Sequence, residues 1–253
     1  MSEAFNLFSP ELLILIAITA VFAGMVKGIV GFGMPMILIS GMTVFINPNL
    51  ALGILILPTL VTNGWQAGRQ GFAAAFSSVY DHRWFLGVGY AVLLTTTQMV
   101  PWLSQSLFFL CLGILVVGFA GLMLSGWQPR ARNETTLMIG CALVAGAGGG
   151  ISGVWGPPTV MYLSMHNLDK QAQMRAQGVI YGLGAILLLM GHIRSGIATP
   201  QALILGGFSI LPACFGIWIG FKIQDRINQN MFRVTTLIVL IVTGLNLIRR
   251  GLV

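Results

Sequence analysis

The sequence predicts an all-α polytopic membrane protein of two inverted repeats, each a glycine-broken helical hairpin plus three transmembrane helices. Three observations predict it. The 253-residue chain is 56% hydrophobic and only 8% charged, far from an ordinary soluble domain. Its apolar residues form eight stretches, most near the ~20 residues that cross a bilayer core of ~30 Å. Two of these stretches are overlong and interrupted by the same pattern. One reads Gly24-Met25-Val26-Lys27-Gly28-Ile29-Val30-Gly31-Phe32-Gly33-Met34-Pro35, the other Gly149-Gly150-Ile151-Ser152-Gly153-Val154-Trp155-Gly156-Pro157-Pro158. A shift of 125 positions lays Gly24, Gly28 and Gly31 on Gly149, Gly153 and Gly156, and then Gly53 on Gly178, Arg69 on Arg194 and Gly71 on Gly196.

The first repeat takes residues 1–128 and the second 129–253. The first element, 11–46, is roughly 54 Å long if helical throughout, too long for one perpendicular crossing. With Gly28 to Pro35 inside it, it forms either a hairpin turning within the membrane or two short crossings, and both return the chain to its starting face. Spans follow at 51–67, 84–102 and 106–127, with 71–83 read as interfacial from its alanines and aromatics. The second repeat has its broken element at 135–166 and spans at 172–193, 201–221 and 231–248. Cys111, Cys141 and Cys214 lie in apolar stretches and are odd in number, so they read as small core residues rather than a disulfide framework. No basic leader precedes the first span, which argues against a cleaved signal peptide.

Charge decides the topology. The net charge of +7 would suggest nucleic acid in a soluble protein. Here the basic residues sit in short connections and act as topology determinants, so no nucleic-acid partner is expected. If all eight elements cross once, the two faces carry seven and five basic residues. If the broken elements return to their own faces, Arg69, Arg83, Arg130, Arg132, Lys170, Arg175, Lys222, Arg226 and Arg233 share one side, and Arg194, Arg249 and Arg250 the other. The positive-inside rule favours this second layout, with both termini outside. The halves are then inverted copies, a plan common in secondary transporters.

Unwound backbone at membrane depth is tolerated only where protein or a water-filled cavity covers it. Two inverted hairpins bring their turns together near the midplane. Pro35 and Pro157 suit the first turn of the returning helices, whose N-termini favour an anion. The candidate substrate-binding residues at the breaks are Lys27, Gly28, Gly31 and Gly33, with Ser152, Gly153, Trp155 and Gly156. Lys27 supplies a full positive charge and Ser152, its partner by the repeat, a hydroxyl. The competing reading is that the glycines serve close helix packing, and that Lys27 snorkels to a headgroup; an ionisable residue at membrane depth points first to function.

Further candidates lie on the spans. Thr59, Asn63 and Gln66 share one helical face, and Gln177 and Tyr181 lie one turn apart; each set either lines a polar path or bonds to neighbouring helices. The Thr95 to Gln98 patch has the same two readings. Histidine is the side chain whose ordinary pKa lies nearest neutral pH, which makes His192 a candidate for proton linkage, against a plain interfacial role. Arg69 and Arg194 match by repeat as candidate gates, against topology alone. All six acidic residues lie in or beside connections, so no buried carboxylate relay is visible. No metal or cofactor is expected. The partners are a small anionic substrate and the lipid bilayer, with a homo-oligomer left open.

Lys27-Gly28-Ile29-Val30-Gly31-Phe32-Gly33 and Ser152-Gly153-Val154-Trp155-Gly156-Pro157-Pro158 resemble the paired signatures of the sulfite exporter TauE/SafE family, also called the 4-toluene sulfonate uptake permease family. The resemblance covers essentially the whole chain. It implies a prokaryotic cytoplasmic-membrane carrier for sulfite, sulfonates or related organic anions. Many members carry a run of three glycines after the Gly-x-x-Gly step; Phe32-Gly33-Met34 and Pro157-Pro158 replace those runs here, which leaves the anion and the direction of transport open. Two rivals remain. One is a passive anion channel, because no coupling residue is evident. The other is a rhomboid-like intramembrane serine protease, from Gly150-Ile151-Ser152-Gly153 with His192 as base; the other rhomboid signatures are missing, and the expectation is that the protein is not an enzyme.

Overall fold

A computed structural model describes residues 9–99, 105–125, 134–166 and 168–252. These are helical, with no strand among them. Ser9 opens α1 (Pro10–Val30), its hydroxyl accepting from Leu12 N, and α2 (Met34–Met42) follows after a three-residue break. Asn47 caps α3 (Pro48–Gly68), with Pro48 in the first turn where its missing N–H costs nothing. Next come α4 (Phe72–Asp81), α5 (Arg83–Thr97) and α6 (Gln105–Leu124). The second half repeats the order without a counterpart of α4 among the described residues. It has α7 (Glu134–Ser152), a break, α8 (Gly156–Ser164), then α9 (Lys170–Arg194) capped by Asp169, α10 (Pro200–Arg226) capped by Thr199, and α11 (Gln229–Leu252). Six of the described helices are long and apolar enough to cross a membrane.

Both overlong stretches are broken, and both fold back. A Cβ on Gly41 of α2 would meet Thr19 of α1, so α2 returns antiparallel along α1 towards the face where α1 began. In the same way α8 carries Tyr162 back to His82 at the start of α5. This return to the starting face is the feature that the hairpin and the two short crossings share. The unwound segments are shorter than the glycine-rich stretches: α1 stays helical through Gly28 to Val30, and only residues 31–33 and 153–155 leave the helix.

Helix directions follow from close contacts. Gly24 and Gly28 of α1 face Ala213, Ile217 and Gly220 of α10, in the same order along both chains. Gly53 of α3 meets Ala202, and Arg69 beyond its end bonds Gln224 and Asp225, so α3 is also parallel to α10. On α9 the order is reversed, Gly178 facing Gln66 and Gly182 facing Asn63. Alongside α9 run α5, with Tyr90 at Ile180 and Thr97 at Gly191, and α7, with Gly146 at Gly89 and Gly150 at Thr96. The helix leading into the second break thus runs opposite to the one leading into the first.

One end of the bundle gathers Arg69, Arg83, Lys170, Arg175, Lys222 and Arg226, and the other Arg194, Arg249 and Arg250. Arg130 and Arg132 lie outside the described residues, as does the side chain of Arg233. At the first end α4 lies exposed, with Phe72, Phe76 and Tyr80 along one face, the aromatic stripe of an interfacial helix. It covers most of the 71–83 segment read as interfacial from the sequence.

Candidate functional site

The two breaks share one glycine geometry. Gly31 has φ +87° and its N–H returns to Lys27 O. Gly153 has φ +69°, and its N–H returns to Gly149 O at 2.8 Å. Both end a helix in the left-handed region, where a Cβ is penalised. Pro35 and Pro157 both sit in the first turn of the returning helix. This geometry pairs Gly31 with Gly153, three positions off the 125-residue register, which Gly71 and Gly196, both with positive φ, do keep. Lys27 therefore corresponds to Gly149, and the pairing of Lys27 with Ser152 is corrected. The backbone of Ser152 ends α7, and its side chain lies outside the described residues.

The breaks touch. A Cβ on Gly156 would meet the Phe32 ring at 2.8 Å, and one on Gly153 would lie 3.7 Å from Pro35 Cβ. The two turns pass beside each other rather than meeting tip to tip. Gly31 packs by Gln66, Met174 and Gln177, whereas Gly153 packs by Leu55, eleven residues or roughly 16 Å from Gln66 along α3.

Beside this contact lies a buried polar cluster. Lys27 is 1% exposed, its Nζ donating to Asn63 Oδ1 and lying 5.7 Å from the centre of the Tyr181 ring. Among the described residues the one ion pair is Arg69 with Asp225, so no carboxylate faces Lys27. Gln66 Nε2 donates to Gly31 O at 3.1 Å and to Met174 O at 2.7 Å. Thr59 Oγ1, Asn63 Nδ2, Gln66 Oε1 and both amide atoms of Gln177 are buried without a partner. Tyr181 donates to Gly156 O at 3.3 Å, and its ring stacks with Trp155 at 6.1 Å. The sequence-predicted Lys27, Asn63, Gln66, Gln177 and Tyr181 thus come together around Gly31, with Trp155 and Gly156 behind the tyrosine. Thr59, one turn before Asn63, joins them.

Other candidates go elsewhere. Gly28 faces Ile217 O and the Gly220 backbone, so it lets α1 and α10 approach and is not part of the cluster. Gly33 (φ +90°) opens α2 and packs near Val26 and Val239. His192 is buried three turns beyond Tyr181 on α9, its Nδ1 3.2 Å from Ser195 Oγ. Arg69 lies at one end, against the Phe221 ring, Gln224 and Asp225; Arg194 is exposed at the opposite end.

Two arrangements escaped the sequence. Arg175 donates to Ser78 Oγ and Gln70 Oε1, tying α9 to α4. His82 Nδ1 lies 2.9 Å from the Tyr162 hydroxyl, with the His166 ring at 5.7 Å. These join side chains far apart in the chain, and no spacing announces them. A separate cavity of about 20 Å³, room for one water, lies between α5, α7 and α9 against Leu93, Ala145, Trp155 and Ile180. Its walls are mostly apolar, with Tyr90 and Thr159 among them, and hold no charge.

Backbone donors at the start of α2, a buried ammonium and unpaired amides suit a small anion. Among known proteins, a family model described as sulfite exporter TauE/SafE matches residues 16–247. No curated protein and no solved structure matches the chain.

Proposed function

The chain belongs to the sulfite exporter TauE/SafE family, and on that premise we propose that it is a secondary transporter of a small anion such as sulfite or a sulfonate. The anion binds between the two breaks, held by Lys27, Asn63, Gln177 and the backbone N–H groups at the start of α2. The halves act as inverted units that rock around it, in a prokaryotic cytoplasmic membrane with both termini outside.

One observation carries the reading. Lys27 is fully buried and meets only neutral groups, and a buried cation of this kind is stabilised by a counter-ion. Support for rocking comes from α1 and α7 entering from opposite ends, the arrangement that inverted repeats produce.

The test is sulfite flux into proteoliposomes. Saturable uptake that an opposing gradient drives uphill is expected, whereas flux that only dissipates a gradient would identify a channel. Lys27→Met should weaken anion binding by at least about tenfold, the loss of one charge-assisted hydrogen bond, while the protein still elutes as a single species. Unchanged binding by that variant would remove Lys27 from the site.

A further inference from the structure

Two of the buried amides cannot be turned round. Gln66 Nε2 donates to Gly31 O and Met174 O; a flip would set its oxygen against both carbonyls. Its Oε1 is therefore fixed as an acceptor, and it is buried without a donor. Asn63 Oδ1 takes the Lys27 ammonium; a flip would set an NH₂ group against NH₃⁺. Its Nδ2 is therefore fixed as a donor, buried without an acceptor. Gln177 stands beside them with both amide atoms unpaired, its Oε1 in the space that a Cβ on Gly31 would fill.

The ligand that completes this set must accept on one side and donate on the other. We propose, resting on the anion reading above, that the site takes a small monoanion bearing a hydroxyl, of the form HO–XO₂⁻, in preference to one with acceptors alone. The anionic oxygens face Lys27 and Asn63 Nδ2, and the hydroxyl donates to Gln66 Oε1. A single charge matches the single cation. A sulfonate, carboxylate or dianion leaves Gln66 Oε1 buried and dry, the more costly fault than a hydrogen bond merely exchanged with water.

Isosteric pairs test this on the purified full-length protein by titration calorimetry. Hydrogen sulfite is compared with methanesulfinate and hydrogen carbonate with acetate, each pair at one pH where both members are monoanions. Within a pair, shape and charge are kept and OH becomes CH₃. The hydroxyl member should bind at least about tenfold more tightly, and Gln66→Met should bring the ratio towards one. The wild-type ratios decide the matter even if that variant fails to fold. Methyl members binding as tightly as their partners would overturn the hydroxyl requirement and leave the anion site standing. Failure of all four to bind would overturn the anion site, and this inference with it.

Discussion

At the scale of single residues, the burdens are electrostatic and conformational. Removing an ammonium from water costs about several kcal/mol even after the protein relaxes, and Lys27 recovers part of that through Asn63 and the Tyr181 ring. Gly31 carries a different constraint. Gly31→Ala would put a Cβ at φ +87°, into the Gln177 amide and Met174 Sδ. The left-handed conformation alone costs about 1–2 kcal/mol, so this variant should be measurably less heat-stable and should also lose anion affinity by displacing Gln177. His82 responds to pH. Burial first, and then His166 and Arg175, lower it from 6.5 to about 4, with Asp81 opposing. The unfolded chain then takes up its proton first, so the contribution is complete above pH 6.5 and is lost as pH falls towards 4. Melting temperatures at pH 7 and pH 5 should show this loss, and His82→Gln should reduce it.

At the scale of elements, glycines proved to have two separate jobs that composition does not distinguish. Gly31 and Gly153 turn the chain, whereas Gly24 and Gly28 form a small-residue face against Gly216 and Gly220. Gly28→Val should therefore lower thermal stability by about 1–3 kcal/mol, the usual overpacking range, because backbone and not a movable side chain fills the space. Losing binding without losing stability would return Gly28 to the site. The breaks were legible because each glycine cluster, followed by proline, falls inside an apolar stretch too long for one crossing. Their mutual register was not, because a Gly-x-x-Gly spacing matches itself at more than one offset, and only the left-handed φ shows which glycines correspond. Polar residues in apolar runs were legible too: Lys27, Asn63, Gln66, Gln177 and Tyr181 stand out in sequence, and the fold gathers them. Which atoms are left unpaired was not, since that depends on partners such as Met174 O, 108 positions from Gln66.

At the scale of the whole molecule, helix direction sorts the basic residues, with six of the described ones at one end and three at the other. With that end inside, the exposed Arg194 faces the exterior and the exposed Arg226 the cytoplasm. In a cysteine-free background, a membrane-impermeant maleimide on intact cells should label Arg194→Cys and spare Arg226→Cys; the reverse pattern would invert the proposed topology. The Arg69–Asp225 pair at that end is partly exposed, its side chains at 32% and 51%, and pairs of this kind contribute about 0–1 kcal/mol. It adds little to the hold between α3 and α10.

The Gln66 amide has a larger reach. Its nitrogen clasps a carbonyl from each half, Gly31 in the first and Met174 in the second, while its oxygen is buried without a partner. If the halves part at that end, the clasp must open, and the rotation that frees it re-aims the oxygen as well. Selecting a cargo and releasing it then draw on the same few atoms, and no substitution at this position can alter one without disturbing the other.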